Sequence, residues 1–204
     1  EIGVAEAFTS VDSGKVDISV NNLDTTEERL EKYNMSVPYK YSIGGMIVRE
    51  DGSSGIEAAD LSDWAGKKAG GGAGTQYMKI AEKLGAEPVI YDNVTNDIYL
   101  RDVSTGRTDF IPNDYYTQVI AVKYITAQYP DIKVKMGTAK YNPTEQAIVM
   151  SKKDDTLKKK LDQVIEEMKE DGTLKAISEK YYAGQDLTVP EKGVEDLPVI
   201  DTSN

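Results

Sequence analysis

The chain has 204 residues and a formal net charge of −11, with 39% hydrophobic and 29% charged residues. This length allows one large or two small domains, and the acidic balance argues against nucleic acid or an anionic membrane surface as a partner. Cysteine and histidine are both absent, which excludes thiol nucleophiles, His-dependent triads and most transition-metal sites. We expect no metal and no other cofactor, and no segment reaches the roughly 20 apolar residues of a membrane span.

Helix and strand signals alternate along the chain, as judged from hydrophobic periodicity and from the positions of Gly and Pro. The predicted helices cover residues 5–12, 26–33, 60–65, 75–84, 94–103, 115–128, 155–169 and 173–182. The predicted strands cover residues 15–20, 43–49, 67–70, 88–91, 109–112, 132–136 and 146–151. The tail from residue 187 is predicted as a loop or an extended arm. This alternation predicts an α/β fold with largely parallel sheets.

Two segments of the chain, residues 11–22 and 103–114, resemble one another. Four aligned positions are identical, and both segments contain a helix end, a glycine, a basic residue and a short strand that ends at a polar pair. The repeat predicts two similar α/β lobes. Ligands of open α/β sheets bind beyond the carboxyl ends of the strands. We therefore expect Asn21, Asn22 and the pair that ends at Asp114 to face one another across a cleft.

The division into lobes follows from which segments could fold alone. Residues 43–142 form a self-contained unit, whereas the flanking segments are too small to fold separately. We therefore assign residues 1–42 together with 143–204 to lobe one, and residues 43–142 to lobe two. The chain then crosses between the lobes twice, which is the layout of a hinge protein.

Three local features predict a site for a zwitterion. Arg29 lies one turn into a short helix predicted from a capping box, Thr25 with Glu28. The glycine run 70–74 leads into a helix N-terminus, which favours an anion, although it lacks the lysine of a phosphate-binding loop. Asp114 places a carboxylate at a strand end. A guanidinium and an open helix start suit an α-carboxylate, and the aspartate suits an α-ammonium. Each feature alone also has a structural explanation, as a surface charge, a simple turn and a helix cap.

Several sequence blocks occur in an order typical of one protein family. In chain order they are N-N-L-D-T-T-E-E-R with Y-N-M-S-V-P-Y, then D-L-S-D-W-A-G-K-K, then S-T-G-R-T-D-F-I-P-N-D, and then E-E-M-K-E-D-G-T-L-K-A-I-S-E-K-Y-Y. With these blocks the chain resembles the solute-binding proteins of polar amino-acid ABC transporters, which are type II periplasmic binding proteins of bacterial solute-binding protein family 3. The resemblance covers nearly the whole chain. It implies the two-lobed α/β fold of that family, with two hinge crossings.

The resemblance also implies roles for individual residues. Arg29 matches the arginine that binds the ligand α-carboxylate, and the backbone N–H groups of Gly74, Thr75 and Gln76 complete that contact. Asp114 matches the residue that holds the α-ammonium. The candidate ligand-binding residues are Asn21, Asn22, Asp24, Arg29, Gly72, Gly74, Thr75, Gln76 and Asp114.

The function implied by the resemblance is an extracytoplasmic binding protein, either periplasmic or lipid-anchored on the outer face of the cell membrane. As a monomer without catalytic residues, it would capture a free amino acid and deliver it to the membrane subunits of an ABC importer. Two alternatives remain open at this point. The chain could be the sensing ectodomain of a receptor, or a dehydratase-type enzyme that uses Asp24 or Asp114 as a general acid.

Two departures from the family pattern bear on the ligand. Asp24 puts a carboxylate where a small hydroxyl is common, so either its side chain turns away to cap the helix or the ligand carries extra positive charge. The opening strand and helix of the family are missing, so lobe one is expected to be incomplete. Either residues 1–4 are a fragment of an earlier element joined across a gap, or the chain is truncated. The N-N pair and the K-Y-N-M-S-V-P-Y segment resemble the cystine and polar amino-acid branch.

Overall fold

The structure is a computed structural model that describes residues 3–92 and 94–202. It divides into two compact units, which we call the first unit (residues 3–42 and 143–195) and the second unit (residues 43–142 and 196–202). The tail differs from the prediction, which assigned all of it to lobe one. Asn142 explains the difference, because its amide N–H donates to Pro198 O at 2.8 Å and its side chain bonds both N and O of Ile200.

The described residues contain seven α-helices, eight strands and two short 3₁₀ helices. The helices are α1 (Val4–Asp12), α2 (Glu27–Lys32), α3 (Gln76–Lys83), α4 (Asn96–Ser104), α5 (Tyr115–Gln128), α6 (Asp155–Glu170) and α7 (Thr173–Tyr181). The strands are β1 (Ile18–Asp24), β2 (Tyr33–Met35), β3 (Lys40–Arg49), β4 (Lys68–Gly72), β5 (Glu87–Tyr91), β6 (Phe110–Asp114), β7 (Val134–Met136) and β8 (Tyr141–Ser151). The 3₁₀ helices are Ser62–Trp64, within the brief helix predicted for residues 60–65, and Val194–Asp196.

The pairing of the strands is mostly antiparallel, so the prediction of largely parallel sheets is wrong. In the first unit β1 and β2 pair antiparallel with β8. In the second unit β3 pairs antiparallel with β6 and β7, and only the pairs of β4 with β5 and β6 are parallel. The segment β4–α3–β5 thus has the pairing that alternation predicts. The antiparallel pairs involve β3 and β8, the strands in which the chain passes from one unit to the other.

The sequence repeat corresponds to a repeated helix–strand connection. Helices α1 and α4 both end one residue before a C-cap in the αR region, and each is followed by a glycine with positive φ, Gly14 at 70° and Gly106 at 79°. The next amide N–H closes the turn in both copies, from Lys15 to Ser10 O and from Arg107 to Asp102 O, each at 2.9 Å. The predicted helix end, glycine and basic residue are therefore confirmed in both segments. The predicted strand end at a polar pair is found in β6, which ends at Asp114, but not in β1, which continues to Asp24.

Each unit has an apolar core of its own. In the first unit β1, β2 and β8 bury one cluster against α1: Val11, Leu23, Tyr33, Met35, Ala147 and Val149. In the second unit Trp64 is fully buried, with ring centroids 4.6 Å from Phe110 and 5.3 Å from Tyr141. A further cluster of that unit lies around Ile47 and Ile111. These cores hold the strand ends that carry the candidate site.

The N-terminal residues bear on the expectation that lobe one is incomplete. Gly3 is the N-cap of α1 and Val4 is its first residue. These two residues, which one predicted alternative assigned to an earlier element, are therefore continuous with α1. Residues 1 and 2 lie outside the described part of the chain. Among the described residues, no helix combines the length and the apolar character needed to cross a membrane.

Candidate functional site

Arg29 lies in the first turn of α2, directly after β1. The helix begins one residue later than predicted, because Thr26 is the N-cap and its Oγ1 accepts a 3.3 Å bond from the amide of Arg29. The predicted cap, Thr25, instead donates its N–H to Glu145 O at 2.8 Å, which extends the pairing with β8. The Arg29 side chain is half-buried. Its Nη1 donates to Asp24 O at 2.7 Å, and its guanidinium carbon lies 4.9 Å from the centroid of the Phe8 ring.

Asp24 ends β1 and is 5% exposed. It is directly opposite Gln146 in the antiparallel pair with β8, and Gln146 Nε2 donates to its Oδ1 at 3.0 Å. Gln146 Oε1 in turn accepts from Lys40 Nζ at 2.9 Å. One of the two predicted alternatives was that the Asp24 side chain caps α2. In the structure Thr26 is the N-cap of this helix. The carboxylate is instead bound by an amide on the neighbouring strand.

Asn21 and Asn22 do not end β1, as was predicted, but lie within it. The register between β1 and β8 shifts between Ser19 and Leu23, and Asn22 adopts a left-handed conformation with φ of 47°. Such an irregularity re-aims the side chains on either side of it. Asn21 is exposed, whereas Asn22 is half-buried: its N–H donates to Tyr39 Oη at 2.9 Å and its Nδ2 donates to Tyr182 Oη at 3.2 Å.

A cavity of about 250 Å³ opens beside Asn22 in the first unit. Its polar lining includes Asn22, Tyr39, Lys40 and Tyr182, and the remainder of the wall is mainly apolar and comes from α7 and the segment that follows it. Of the residues predicted for ligand binding, Asn22 alone lines this cavity.

The glycine run before α3 is explained largely by packing. A Cβ on Gly71 would lie 2.3 Å from Met78 Sδ, and one on Gly70 would lie 3.1 Å from Thr108 Cγ2. Both residues lie in β4, which ends at Gly72. Gly74 differs from them, because its φ of 73° is the left-handed conformation that glycine adopts without strain. The run therefore forms a strand and a tight turn.

Thr75 and Gln76 follow that turn at the start of α3. Thr75 is the N-cap of the helix and its Oγ1 accepts from the amide of Met78 at 3.3 Å. The Gln76 side chain donates to Thr202 Oγ1, in the tail segment of the same unit. The first N–H groups of a helix have no carbonyl partner within the helix, and the helix dipole makes this end partly positive. The start of α3 therefore retains the character of an anion site.

Asp114 ends β6 and is the N-cap of α5. It is buried, and its Oδ1 accepts from the amide of Thr117 at 2.8 Å. The structural explanation of this residue as a helix cap is therefore correct. It does not exclude ligand binding, since a carboxylate has two oxygens and about four acceptor positions. Because β4 and β6 are parallel neighbours, their carboxyl ends bring Gly72 and Asp114 to the same edge of the second unit's sheet.

The candidate residues thus form one group in each unit. Asn21, Asn22, Asp24 and Arg29 lie on β1 and α2 of the first unit, and Gly72, Gly74, Thr75, Gln76 and Asp114 lie at the ends of β4 and β6 in the second. Sequence reasoning missed Phe8, Gln146 and Lys40, which orient Arg29 and Asp24. Of these three residues, Gln146 alone could have been identified from the sequence, because it is a polar residue at the start of an otherwise apolar predicted strand.

Comparison with known proteins identifies the family. The model of "Bacterial extracellular solute-binding proteins, family 3" matches residues 1–184. The chain belongs to this family. The predicted type II periplasmic binding protein fold is confirmed, and the family is one of solute-binding proteins rather than enzymes.

Three relatives define the similarity further. The family 3 chain is 46% identical over 189 residues to the probable ABC transporter extracellular-binding protein YckB of Bacillus subtilis, covering 92% of its own length and 64% of that protein. It is 32% identical over 183 residues to the L-cystine-binding protein TcyJ of Escherichia coli, and this match covers 89% of its own length and 65% of TcyJ. The crystal structure of YckB matches with a TM-score of 0.71 over 98% of this chain and 77% of that one, at 43% identity.

A solved structure of an ancestral arginine-binding protein bound to glutamine matches with a TM-score of 0.76. The identity is 26%, and the match covers 89% of this chain and 77% of that one. The matched region spans slightly less than two thirds of the length of YckB and of TcyJ.

Proposed function

We propose that the protein is an extracytoplasmic amino-acid-binding protein that delivers its ligand to the membrane subunits of an ABC importer. The observation that carries the proposal is the pair of opposite charges at strand ends: Arg29 follows β1 in the first unit, and Asp114 ends β6 in the second. An amino acid carries the complementary charges on its α-carboxylate and α-ammonium groups, which are attached to the same carbon atom. The names of YckB and TcyJ support the same function.

In the proposed complex, Arg29 and the N-terminus of α3 bind the α-carboxylate. The N–H groups of Gly74, Thr75 and Gln76 supply backbone donors, and Gly72 lets the chain approach closely. Asp114 accepts a hydrogen bond from the α-ammonium. Asn21, Asn22 and Asp24 line the side of the first unit, and no cofactor takes part.

The proposed mechanism is closure of two lobes around the ligand. Lobe one is the first unit and lobe two the second, and the chain crosses between them in β3, in β8 and again after residue 195. A ligand that contacts both lobes binds the closed form more tightly than the open one, which shifts the population toward closure. The closed monomer would then dock on the transporter.

A thermal-shift screen of the twenty amino acids and cystine tests the proposal. Cystine and the uncharged polar amino acids are the first probes, because TcyJ is named an L-cystine-binding protein. A ligand present at 100 times its Kd stabilises the folded state by about 2.7 kcal/mol. We expect at least one probe to raise the Tm of the wild type and, at the same concentration, to raise that of Arg29→Ala by about half as much or less, because a tenfold loss of affinity halves the stabilisation. Failure of every probe to stabilise the wild type would contradict the proposal.

A further inference from the structure

Lys40, Gln146 and Asp24 form a buried chain of charges in the first unit, which we call the buried charge chain. The three side chains are 4%, 0% and 5% exposed. Lys40 Nζ donates to Gln146 Oε1 at 2.9 Å, and Gln146 Nε2 donates to Asp24 Oδ1 at 3.0 Å. The amide therefore presents its oxygen to the cation and its nitrogen to the anion, so its dipole is aligned with both charges.

The backbone holds this arrangement in place. Gln146 is the cross-strand partner of Asp24 in the β1–β8 pair, and side chains directly opposite on an antiparallel pair share one face of the sheet. On its other side, Gln146 O accepts from the amide of Tyr39 at 3.0 Å, which fixes the residue next to Lys40. The ammonium also lies 4.9 Å from the centroid of the Tyr182 ring, a favourable cation–π contact.

Burial makes the balance of these charges important. An ionised group removed from water costs several kcal/mol unless an opposite charge or hydrogen bonds compensate for it. The negative charge of Asp24, whose main-chain oxygen accepts a bond from Arg29, would by itself attract a ligand cation and repel the α-carboxylate that Arg29 is proposed to bind. With Lys40 at the far end of the amide, the net charge of the chain is zero.

We infer that Lys40, acting through Gln146, determines the charge class of the ligand, selecting amino acids whose side chain carries no net positive charge. The inference rests on the proposed function, which it deepens. Lys40 is a positioning residue here and need not touch the ligand. Its removal would change the net charge of the buried charge chain from zero to −1 and would make cationic side chains more favourable than they are in the wild type.

Two single substitutions predict opposite shifts of selectivity. In Lys40→Met the affinity for arginine and lysine, relative to glutamine and cystine, should rise by about tenfold or more, because close charge pairs in a desolvated site are strongly coupled. In Asp24→Asn the excess positive charge should instead raise the relative affinity for glutamate and aspartate. The double variant should regain the wild-type order. Lys159→Met, which removes an exposed lysine of α6, is the matched control and should change no ratio.

Isothermal titration of these variants with arginine, glutamate, glutamine and cystine decides the question. Circular dichroism shows which variants fold. If Lys40→Met does not fold, the test is the shift toward glutamate and aspartate that is expected for Asp24→Asn. Folded variants with the wild-type selectivity would overturn the buried charge chain while leaving the proposed function intact. A shift of equal size in Lys159→Met would also overturn it. A wild type that binds none of the probes would contradict the proposed function and, with it, this selectivity.

Discussion

Nη1 of Arg29 donates a hydrogen bond to the main-chain oxygen of Asp24 at 2.7 Å. The same guanidinium lies over the Phe8 ring, so two contacts from the first unit orient it. Arginine has five N–H donors in a rigid plane, and one of them makes the bond to Asp24. A side chain oriented in advance loses less entropy when it binds a carboxylate. The arrangement supports the role proposed for Arg29 at the α-carboxylate.

Arg29→Ala should lower the affinity for the amino acid by at least about tenfold, since a charge-assisted bond contributes about 1.5–3 kcal/mol. The sequence alone suggested an exposed position, where the loss of stability would be small. Because Arg29 is in fact half-buried and bonded to Asp24, we expect a loss of about 1 kcal/mol in the free energy of unfolding as well. Titration calorimetry and urea denaturation measure the two effects separately.

Lys32→Ala is the control for this substitution. Lys32 lies on the same helix, is exposed and pairs with Glu28, and exposed pairs of this kind contribute little. Its removal should change neither affinity nor stability by much. Unchanged affinity in Arg29→Ala would remove this residue from the site.

Asp114→Asn should separate ligand binding from helix capping. Asparagine is as good an N-cap as aspartate, so the bond to the Thr117 amide is kept and the Tm should change little. The negative charge proposed for the α-ammonium is lost, and affinity should fall by about tenfold or more. Asp114→Ala, which removes the cap as well, should lower the stability by about 1 kcal/mol.

Ligand analogues without the amino group supply the matching comparison. Such analogues should bind the wild type poorly and should lose little further affinity in Asp114→Asn. If they bind the wild type as well as the amino acid does, the assignment of the ammonium to Asp114 is wrong.

Local signals were sufficient for much of the fold. Helix α5 was predicted to the residue, because Asp114 caps its start and Pro130 prevents its continuation. The two glycines of the repeat were likewise identified, since each follows a helix end that requires a positive φ. The family motifs supplied the candidate site residues, and the fold that they implied is confirmed.

Features that depend on distant pairing could not be predicted. Strand β1 was expected to stop at its polar pair, yet it continues to Asp24 because β8 supplies partners for Leu23 and Asp24. The contact of Gln146 with Asp24 joins residues 122 positions apart. Lys40 is adjacent to a Pro-Tyr motif typical of the family, but nothing in its neighbours indicates that it is buried.

The ion pair of Arg49 with Asp109 gives a pH-dependent contribution to stability. Arg49 Nη2 donates to Asp109 Oδ1 at 2.8 Å, and the amide of Lys68 donates to Oδ2 at 2.9 Å. Burial alone would raise the pKa of Asp109, but these bonds outweigh it and hold the pKa below its ordinary value. The stabilisation is therefore complete above the pKa of the unfolded chain and is lost as the pH falls through the lower, folded pKa.

Asp109→Asn should accordingly destabilise the protein by about 1–2 kcal/mol near pH 6 and by less at an acidic pH close to the lowered, folded pKa, where the wild-type carboxyl becomes protonated. Urea denaturation at both pH values measures the difference. Asp17→Asn is the matched control, because Asp17 occupies the equivalent position of the repeat and is exposed. A penalty for Asp109→Asn that is the same at both pH values would contradict the ionic contribution.

The proposed closure of the two lobes predicts a change of size in solution. Within the described residues, β3, β8 and the tail that follows residue 195 carry the chain between the two units, so few covalent connections would resist the motion. To convert an open population of about 99% into a closed one of about 99%, the ligand must favour the closed form about 10⁴-fold. Contacts with Arg29 in one lobe and Asp114 in the other would supply this difference.

Small-angle scattering should therefore show a smaller radius of gyration when a saturating amino acid is added to the wild type. Asp114→Asn, saturated with the same ligand at higher concentration, should contract less, because the contact with one lobe is weakened. A wild type that binds its amino acid tightly with an unchanged radius of gyration would contradict hinge closure and favour a rigid pocket.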